Sequence, residues 1–265
     1  MTQETFGLTE MAMGSEEELT SFIAKFEESK QLRHKNIFHI EKASSQTEKA
    51  LCGSFSKLQI VFQYSANTLA KDIAERQKTE AFFTEEELWF ISESMISALA
   101  FFQVNNLEHK DICPSTIMIS DRGIYRIGDY SPLTRGLSGY YRLLSGKTED
   151  CYLSPTLLSG LSRKLMNPEH DSTKSDVYAL GMTLLQAASL KDIRCCYDMS
   201  LFVVNRADME NLFAEVGARY STGLEAFIRD LLNPDENERP DFNKIHFQMN
   251  NQTVYLKPVR HPSLS

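Results

Sequence analysis

The apolar positions along the chain predict two long amphipathic helices, each introduced by the same polar signal. A hydroxyl residue is followed three positions later by a glutamate at residues 15–18 and again at residues 84–87. This spacing forms a capping box, in which the two side chains satisfy free N–H groups at a helix start. Apolar residues then recur every three or four positions, as far as Leu32 in the first case and Val104 in the second. A third helical pattern covers residues 224–232.

Strand-like segments lie between these helices. β-Branched and aromatic residues favour strands at residues 36–42 and 58–63. Residues 117–119 and 123–127 predict a hairpin that turns at residues 121–123. The mixture of long helices and short strands predicts an α+β fold.

Composition narrows the function classes. A chain of 265 residues, 42% of them hydrophobic, suits one large domain or two small lobes that share a cleft. The net charge of −8 argues against nucleic acid and anionic membranes as partners. The longest apolar run, residues 96–102, is too short to cross a bilayer, and no signal-peptide pattern is visible. Five dispersed cysteines without zinc-ligand spacing predict free thiols in a reducing, cytoplasmic compartment.

Residues 109–119 carry the most informative motif, H-K-D-I-C-P-S-T-I-M-I. It resembles the catalytic loop of the protein kinase family, H-R-D-L-K-P-x-N-I-L. The resemblance implies an Asp that accepts the substrate's proton, a Lys that neutralises the transferring phosphate and an Asn that holds magnesium. His109 and Asp111 are kept, whereas Cys113 and Thr116 replace the Lys and the Asn. A thiol carries no positive charge and a hydroxyl is a poorer magnesium ligand than an amide, so the resemblance implies a vestigial loop.

Further phrases follow in the order and spacing of the same family. Residues 128–131, G-D-Y-S, resemble its G-D-F-G motif, which makes Asp129 the candidate magnesium ligand. Residues 176–181, D-V-Y-A-L-G, resemble the start of the central helix of the large lobe. The resemblance implies that Asp176 braces the backbone of the catalytic loop, which is a structural role.

One ion pair of the family has lost a partner. Residues 152–156, Y-L-S-P-T, resemble the phrase Y-x-A-P-E, whose Glu pairs with an Arg near the end of the domain. Thr156 replaces that Glu, whereas the Arg is present as Arg239. Because a buried guanidinium without a carboxylate is costly, we expect a substitute acceptor, and Glu149 and Asp150 are candidates.

The N-terminal segment lacks the phosphate-binding groups that the resemblance would require. Residues 31–37 resemble the L-x-H-P-N-I phrase after the regulatory helix, and counting back from its His puts Lys25 where the family has a Glu. The best match to the V-A-I-K strand ends at Thr9, with Gly14 as a second alignment, so neither supplies the Lys. The Gly-rich loop and the first two strands have no counterpart. Phe62 either guards the nucleotide pocket or belongs to the core.

These observations lead to a degenerate kinase-like domain, a pseudokinase with a truncated small lobe. Residues 1–64 are the predicted small lobe, residues 65–250 the mainly helical large lobe and residues 251–265 an extended tail. We expect no catalysis and no cofactor, with Mg-ATP as the alternative. The expected activity is protein–protein binding as a scaffold or structural subunit, with a protein partner covering the truncated lobe, because exposed strand edges and apolar faces are normally covered.

Two alternatives stay open from the sequence. The first is an atypical active Ser/Thr kinase, in which Asp111 is the base, Asp129 is the metal ligand and Lys25 or Lys110 supplies the cation. The second is a shortened form of a longer chain, from which the first strands were removed.

Overall fold

A computed structural model describes residues 6–12, 16–29, 33–38, 40–50, 53–63, 65–128, 139–146 and 150–251. The first part holds strands β1 and β2, helix α1 and strands β3 and β4: β1 Phe6–Ala12, α1 Glu16–Ser29, β2 Ile37–Phe38, β3 Ile40–Ala50 and β4 Gly53–Gln63. The second part holds α2 Leu69–Thr79, α3 Glu85–Val104, β5 Ile117–Ile119, β6 Tyr125–Gly128, α4 Gly139–Leu144, α5 Pro155–Ser162, α6 Ser172–Ser189, β7 Tyr197–Asp198, β8 Val203–Val204, α7 Arg206–Arg219, α8 Thr222–Leu231 and α9 Phe242–Asn250. The predicted α+β class is confirmed.

The small lobe is an antiparallel sheet with one helix packed on it. Its described strands lie in the order β1-β4-β3, and Thr9 on β1 is opposite Ile60 on β4. The strand limits predicted from the sequence were wrong. The strand predicted at residues 36–42 is divided into β2 and a long β3, and β4 begins five residues before the predicted Leu58. The polar stretches of this hairpin show no alternation, so only the pairing of β3 with β4 reveals them as strands.

A second sheet joins the two lobes. Strand β2 pairs in parallel with β6, which in turn pairs with β5 in the hairpin predicted from the sequence. Asn36, just before β2, is buried and donates from its side-chain amide to the backbone oxygen of Tyr125 at 2.9 Å. His34 stacks on Phe101 of α3, with ring centroids 5.2 Å apart. The segment after α1 is therefore tied to the large lobe.

The large lobe is built around α3 and α6. The predicted capping box at residues 84–87 is present, since Thr84 and Glu87 each accept a hydrogen bond from the other's backbone N–H group. Helix α6 begins at Ser172, four residues before the predicted start, because Asp171 caps it by accepting from the Lys174 N–H. None of the described helices is both long and apolar enough to cross a membrane.

Candidate active site

The loop of residues 109–116 is held in place by one carboxylate from α6. Asp176 is buried and accepts hydrogen bonds from the backbone N–H groups of His109 at 3.0 Å and Lys110 at 2.9 Å. Lys110 has a φ of 63°, in the left-handed region that lysine rarely adopts. Burial raises the pKa of Asp176 to about 7, against the opposite effect of the two N–H donors. The brace therefore holds a strained turn.

His109 is part of the frame of this loop. Its side chain is buried and lies near Phe102 of α3, with ring centroids 6.3 Å apart. Burial lowers the pKa of His109 to about 3, so the imidazole is neutral at physiological pH. Its Nδ1 then accepts the backbone N–H of Asp111 at 3.2 Å.

The carboxylate of Asp111 is held by a guanidinium. Nη1 of Arg142 lies 2.5 Å from Oδ2 of Asp111, and Nη2 lies 2.7 Å from Oδ1, which is a bidentate ion pair. Only 10% of the Asp111 side chain is exposed. Burial raises the pKa of Asp111, although Arg142 acts in the opposite direction. Both oxygens that could accept a proton from a substrate are thus already paired.

Arg142 reaches Asp111 because α4 lies against the loop. The backbone N–H of Gly139 donates to Lys110 O at 3.2 Å, and a Cβ at Gly139 would lie 3.3 Å from Oδ1 of Asp111. The hydroxyls of Tyr140 and Tyr141 fix the other side of α4 by donating to the backbone oxygens of residues 165 and 166. The short helix α4 is therefore held against the loop, with Arg142 beside Asp111.

The two positions that differ from the family's motif, Cys113 and Thr116, make hydrogen bonds within the loop. The hydroxyl of Thr116 accepts the backbone N–H of Cys113 at 3.1 Å and lies 2.8 Å from the backbone oxygen of Asp111. The thiol of Cys113 is buried and lies 3.0 Å from the hydroxyl of Ser115. Burial and the neighbouring Asp111 raise the pKa of Cys113, so this thiol stays neutral. Neither side chain offers a cation or a free oxygen ligand to the site.

Arg239 lies in a pocket of backbone oxygens. Its side chain is buried and donates to Asn233 O at 2.9 Å and to Lys174 O at 2.8 Å, while the guanidinium carbon lies 4.9 Å from the centroid of the Tyr178 ring. The expected substitute acceptor is therefore present, but the suggestion of a carboxylate from Asp150 was wrong. Glu149 lies outside the described residues. Burial lowers the pKa of Arg239, although the nearby carboxylates of Glu236, Asp171 and Asp235 act in the opposite direction.

The arrangement of this loop, its brace and the hairpin behind it corresponds to one known domain. The model of the protein kinase domain matches residues 8–249. The chain belongs to the protein kinase family.

Several curated kinases resemble this kinase domain. The Caenorhabditis elegans membrane-associated tyrosine- and threonine-specific cdc2-inhibitory kinase wee-1.3 is 26% identical over 208 residues, which is 78% of this chain and 27% of that protein. The Danio rerio serine/threonine-protein kinase Nek8 is 30% identical over 150 residues, 56% of this chain and 20% of that protein. The rice serine/threonine-protein kinase Nek3 is 26% identical over 160 residues, 60% of this chain and 25% of that protein. The matched region thus spans about a quarter of each relative.

The remaining predicted site residues are only partly described. Thr9 lies on β1 and Lys25 on α1, but their side chains are outside the described part, as are Gly14 and Asp129 altogether. Phe62 is half-buried on β4 and packs against the core of the small lobe, which agrees with the core interpretation. The ammonium of Lys110 pairs with Glu108.

Two described positions lack the groups with which the family holds Mg-ATP. Cys113 and Thr116 stand where the family has its Lys and Asn, and both are engaged within the loop.

Sequence reasoning missed Arg142 altogether. No motif in the sequence marks this arginine, and Asp111 is 31 residues away. The one available signal is the pair Tyr140 and Tyr141, which begins a helical turn that carries Arg142.

Proposed function

We propose that this chain is a pseudokinase, a kinase domain without phosphotransfer that acts by binding other proteins. The observation that carries the proposal is the commitment of three chemical positions to structural contacts. Asp111 is paired with Arg142, while Cys113 and Thr116 hold the loop. Phosphoryl transfer depends on positioning and on stabilising charge, so each lost group costs a few kcal/mol of barrier.

Among the described residues near the loop, each cation that could meet a phosphate is already paired. Cys113 is neutral, Lys110 is paired with Glu108, and Arg142 is neutralised by Asp111. A triphosphate would therefore have to break existing ion pairs before gaining any of its own. Within the described residues, this argues against Mg-ATP as a cofactor.

The partner would cover the small lobe. Strand β1 is an edge of the described sheet, and its Phe6 and Leu8 are 50% and 63% exposed. Strand edges with exposed apolar side chains are normally covered by another segment. The four described cysteines are all free thiols, which favours a reducing compartment.

A second candidate is an active Ser/Thr kinase that α4 locks. The relatives are named as kinases, and the brace from Asp176 to the loop is intact. In that case Asp111 would become the base once Arg142 leaves it.

Phosphotransfer by the purified chain separates the two candidates. The assay compares wild type, Arg142→Ala and Asp111→Asn, with labelled Mg-ATP and dephosphorylated casein. We expect incorporation no higher in wild type or Arg142→Ala than in Asp111→Asn, and no shift of the melting temperature at millimolar Mg-ATP. Transfer that appears in Arg142→Ala and disappears when Asp111→Asn is added would favour the locked kinase instead.

A further inference from the structure

A large cavity lies in the large lobe, away from the loop of residues 109–116. Its volume is about 720 Å³, which is within the range of ligand-binding cavities. Helices α5, α6, α7 and α8 and strand β8 contribute to its walls. The side chains of Met209, Phe213 and Leu232 give it an apolar floor, and all three are buried.

The rim of this cavity carries exposed aliphatic side chains. Leu201 is 68% exposed and Val203 is 48% exposed, and both lie at the turn and strand of the β7–β8 hairpin. Exposed aliphatic groups beside an apolar cavity add a surface that an enclosed small ligand would not touch. A protein segment, with one side chain in the cavity and its neighbours on the rim, uses both.

One cation on the rim of the cavity makes no ion pair with the described residues. Arg206 is exposed on the rim at the start of α7, and it makes no ion pair with any described residue. Glu210 is the acidic lining residue, and it is already held by Arg229 through two hydrogen bonds of 2.8 Å. The first turn of α7 adds the positive end of a helix dipole.

The wall formed by Tyr178 offers a hydroxyl. Tyr178 is 1% exposed and lines the cavity, and its hydroxyl makes no hydrogen bond with the described residues. An incoming acceptor would therefore meet an unused hydroxyl in this wall.

We propose that this cavity is a docking site for a short segment of a partner protein, in which a bulky apolar side chain lies next to an Asp or a Glu. The apolar side chain enters the cavity over Met209 and Phe213. The carboxylate faces Arg206 and the start of α7. Such an acidic segment is selected locally although the whole chain has a net charge of −8, because Arg206 on the rim is available to pair with it. This site does not depend on whether the loop of residues 109–116 transfers phosphate.

Selection from a random 12-residue peptide library displayed on phage tests the proposal. The full chain is immobilised, and binders to Arg206→Glu are removed in each round. We expect the enriched peptides to carry an aromatic or branched aliphatic residue within two positions of an acidic one. Synthetic versions should bind at least tenfold more weakly to Arg206→Glu and to Leu201→Asp than to wild type, as measured by fluorescence polarisation.

The matched control is Arg122→Glu, which makes the same charge change in the exposed β5–β6 turn and does not line the cavity. It should bind the peptides like wild type, and all three variants should keep the wild-type melting temperature because the substituted positions are exposed. No enrichment, enrichment of basic peptides, or equal binding to Arg206→Glu would overturn the proposal. A rise in melting temperature with decanoate, but without peptide binding, would assign the cavity to small carboxylates and overturn it as well.

Discussion

The two lobes are stabilised very differently. Among the described residues, the small lobe has a core of five buried apolar side chains: Leu19, Phe26, Ile40, Leu58 and Ile60. The large lobe has one continuous core of 48 such residues, which includes Ile37 from the segment after α1. Hydrophobic stabilisation grows with the apolar area removed from water, so the large lobe supplies most of the stability that the described residues provide.

This contrast separates the frame of the kinase domain from the groups that the family uses on a phosphate. The frame of the catalytic loop belongs to the large lobe, where Asp176 and Arg239 are buried and fully engaged. Among the described positions of the loop, Cys113 and Thr116 replace the Lys and the Asn of the family, and Asp111 is paired with Arg142. The contacts of Asp176 and Arg239 stabilise the fold, and this role does not depend on whether the loop transfers phosphate.

The sharpest test of the contrast removes one large core side chain from each lobe. Phe227 in α8 and Leu58 in β4 are both completely buried. Phe227→Ala should cost about 3–5 kcal/mol and lower the unfolding midpoint of the whole domain in urea, because it opens a cavity in the shared core. Leu58→Ala should cost about 2–5 kcal/mol. Its effect should appear as early loss of the small lobe alone.

Hydrogen exchange followed by mass spectrometry distinguishes these two outcomes. Leu58→Ala should speed exchange in β3 and β4 and leave α6 and α8 protected. If Leu58→Ala unfolds both lobes together, the lobes form one cooperative unit and the contrast is wrong.

The next effect concerns the brace within the large lobe. Asp176→Ala removes the acceptor of two buried backbone N–H groups, at His109 and Lys110, and should cost about 2–3 kcal/mol. Amide exchange at both residues should become fast, and this is measurable by NMR. Asp171→Ala is the matched control, since it removes the cap of the same helix but leaves the loop amides protected. Unchanged amide exchange at His109 in Asp176→Ala would show that Asp176 does not hold the loop.

A smaller loss of stability is expected at the contact between the lobes that Asn36 makes. Asn36→Ala loses the hydrogen bond to Tyr125 O and should cost about 1–2 kcal/mol. The cost should fall on the docking of the small lobe, seen as faster exchange in β2 and β6. Asn105→Ala is a suitable control because its side-chain bond to Phe101 O stays within α3. Equal exchange profiles for the two variants would show that Asn36 does not couple the lobes.

The smallest predicted effect is a pH dependence within the large lobe. Burial raises the pKa of Glu85, but hydrogen bonds from Ser221 and Trp89 outweigh it and lower that pKa overall. A carboxyl group whose pKa is lowered in the folded state stabilises the fold at pH values above its pKa in the unfolded state. This contribution is lost as the pH falls through the pKa of the folded state. The free energy of unfolding of wild type at pH 6 should therefore exceed that of Glu85→Gln by a few tenths of a kcal/mol, because solvent screens the interaction. The difference should vanish near pH 3 in urea titrations, and a difference that grows on acidification would reverse the sign.

Periodicity and local motifs predicted much of the fold. The α3 helix with its capping box and the β5–β6 hairpin were visible because their signals lie within a few residues. The full length of β3 and β4 was not visible in the sequence, because Ser44, Ser45 and Gln46 on β3 are polar and show no strand pattern. Their strand conformation depends on pairing with the neighbouring strand.

The candidate site divides in the same way. The replacements at Cys113 and Thr116 follow from the sequence alone, but their structural use does not. The pairing of Arg142 with Asp111 depends on how α4 packs. The backbone oxygens that bind Arg239 come from the first turn of α6 and from the segment after α8. No local pattern encodes contacts of this kind, because they arise only when distant segments meet.

The ion pair between Arg142 and Asp111 has a consequence for genetics. Replacing the loop Asp is the standard way to ask whether a kinase acts through phosphorylation. In this chain, Asp111→Asn also discards the carboxylate that anchors α4 and takes one partner from the half-buried guanidinium of Arg142. A phenotype from that allele would report a changed surface near the loop. The informative comparison in cells is with the allele Arg142→Ala, which breaks the same contact and spares the Asp.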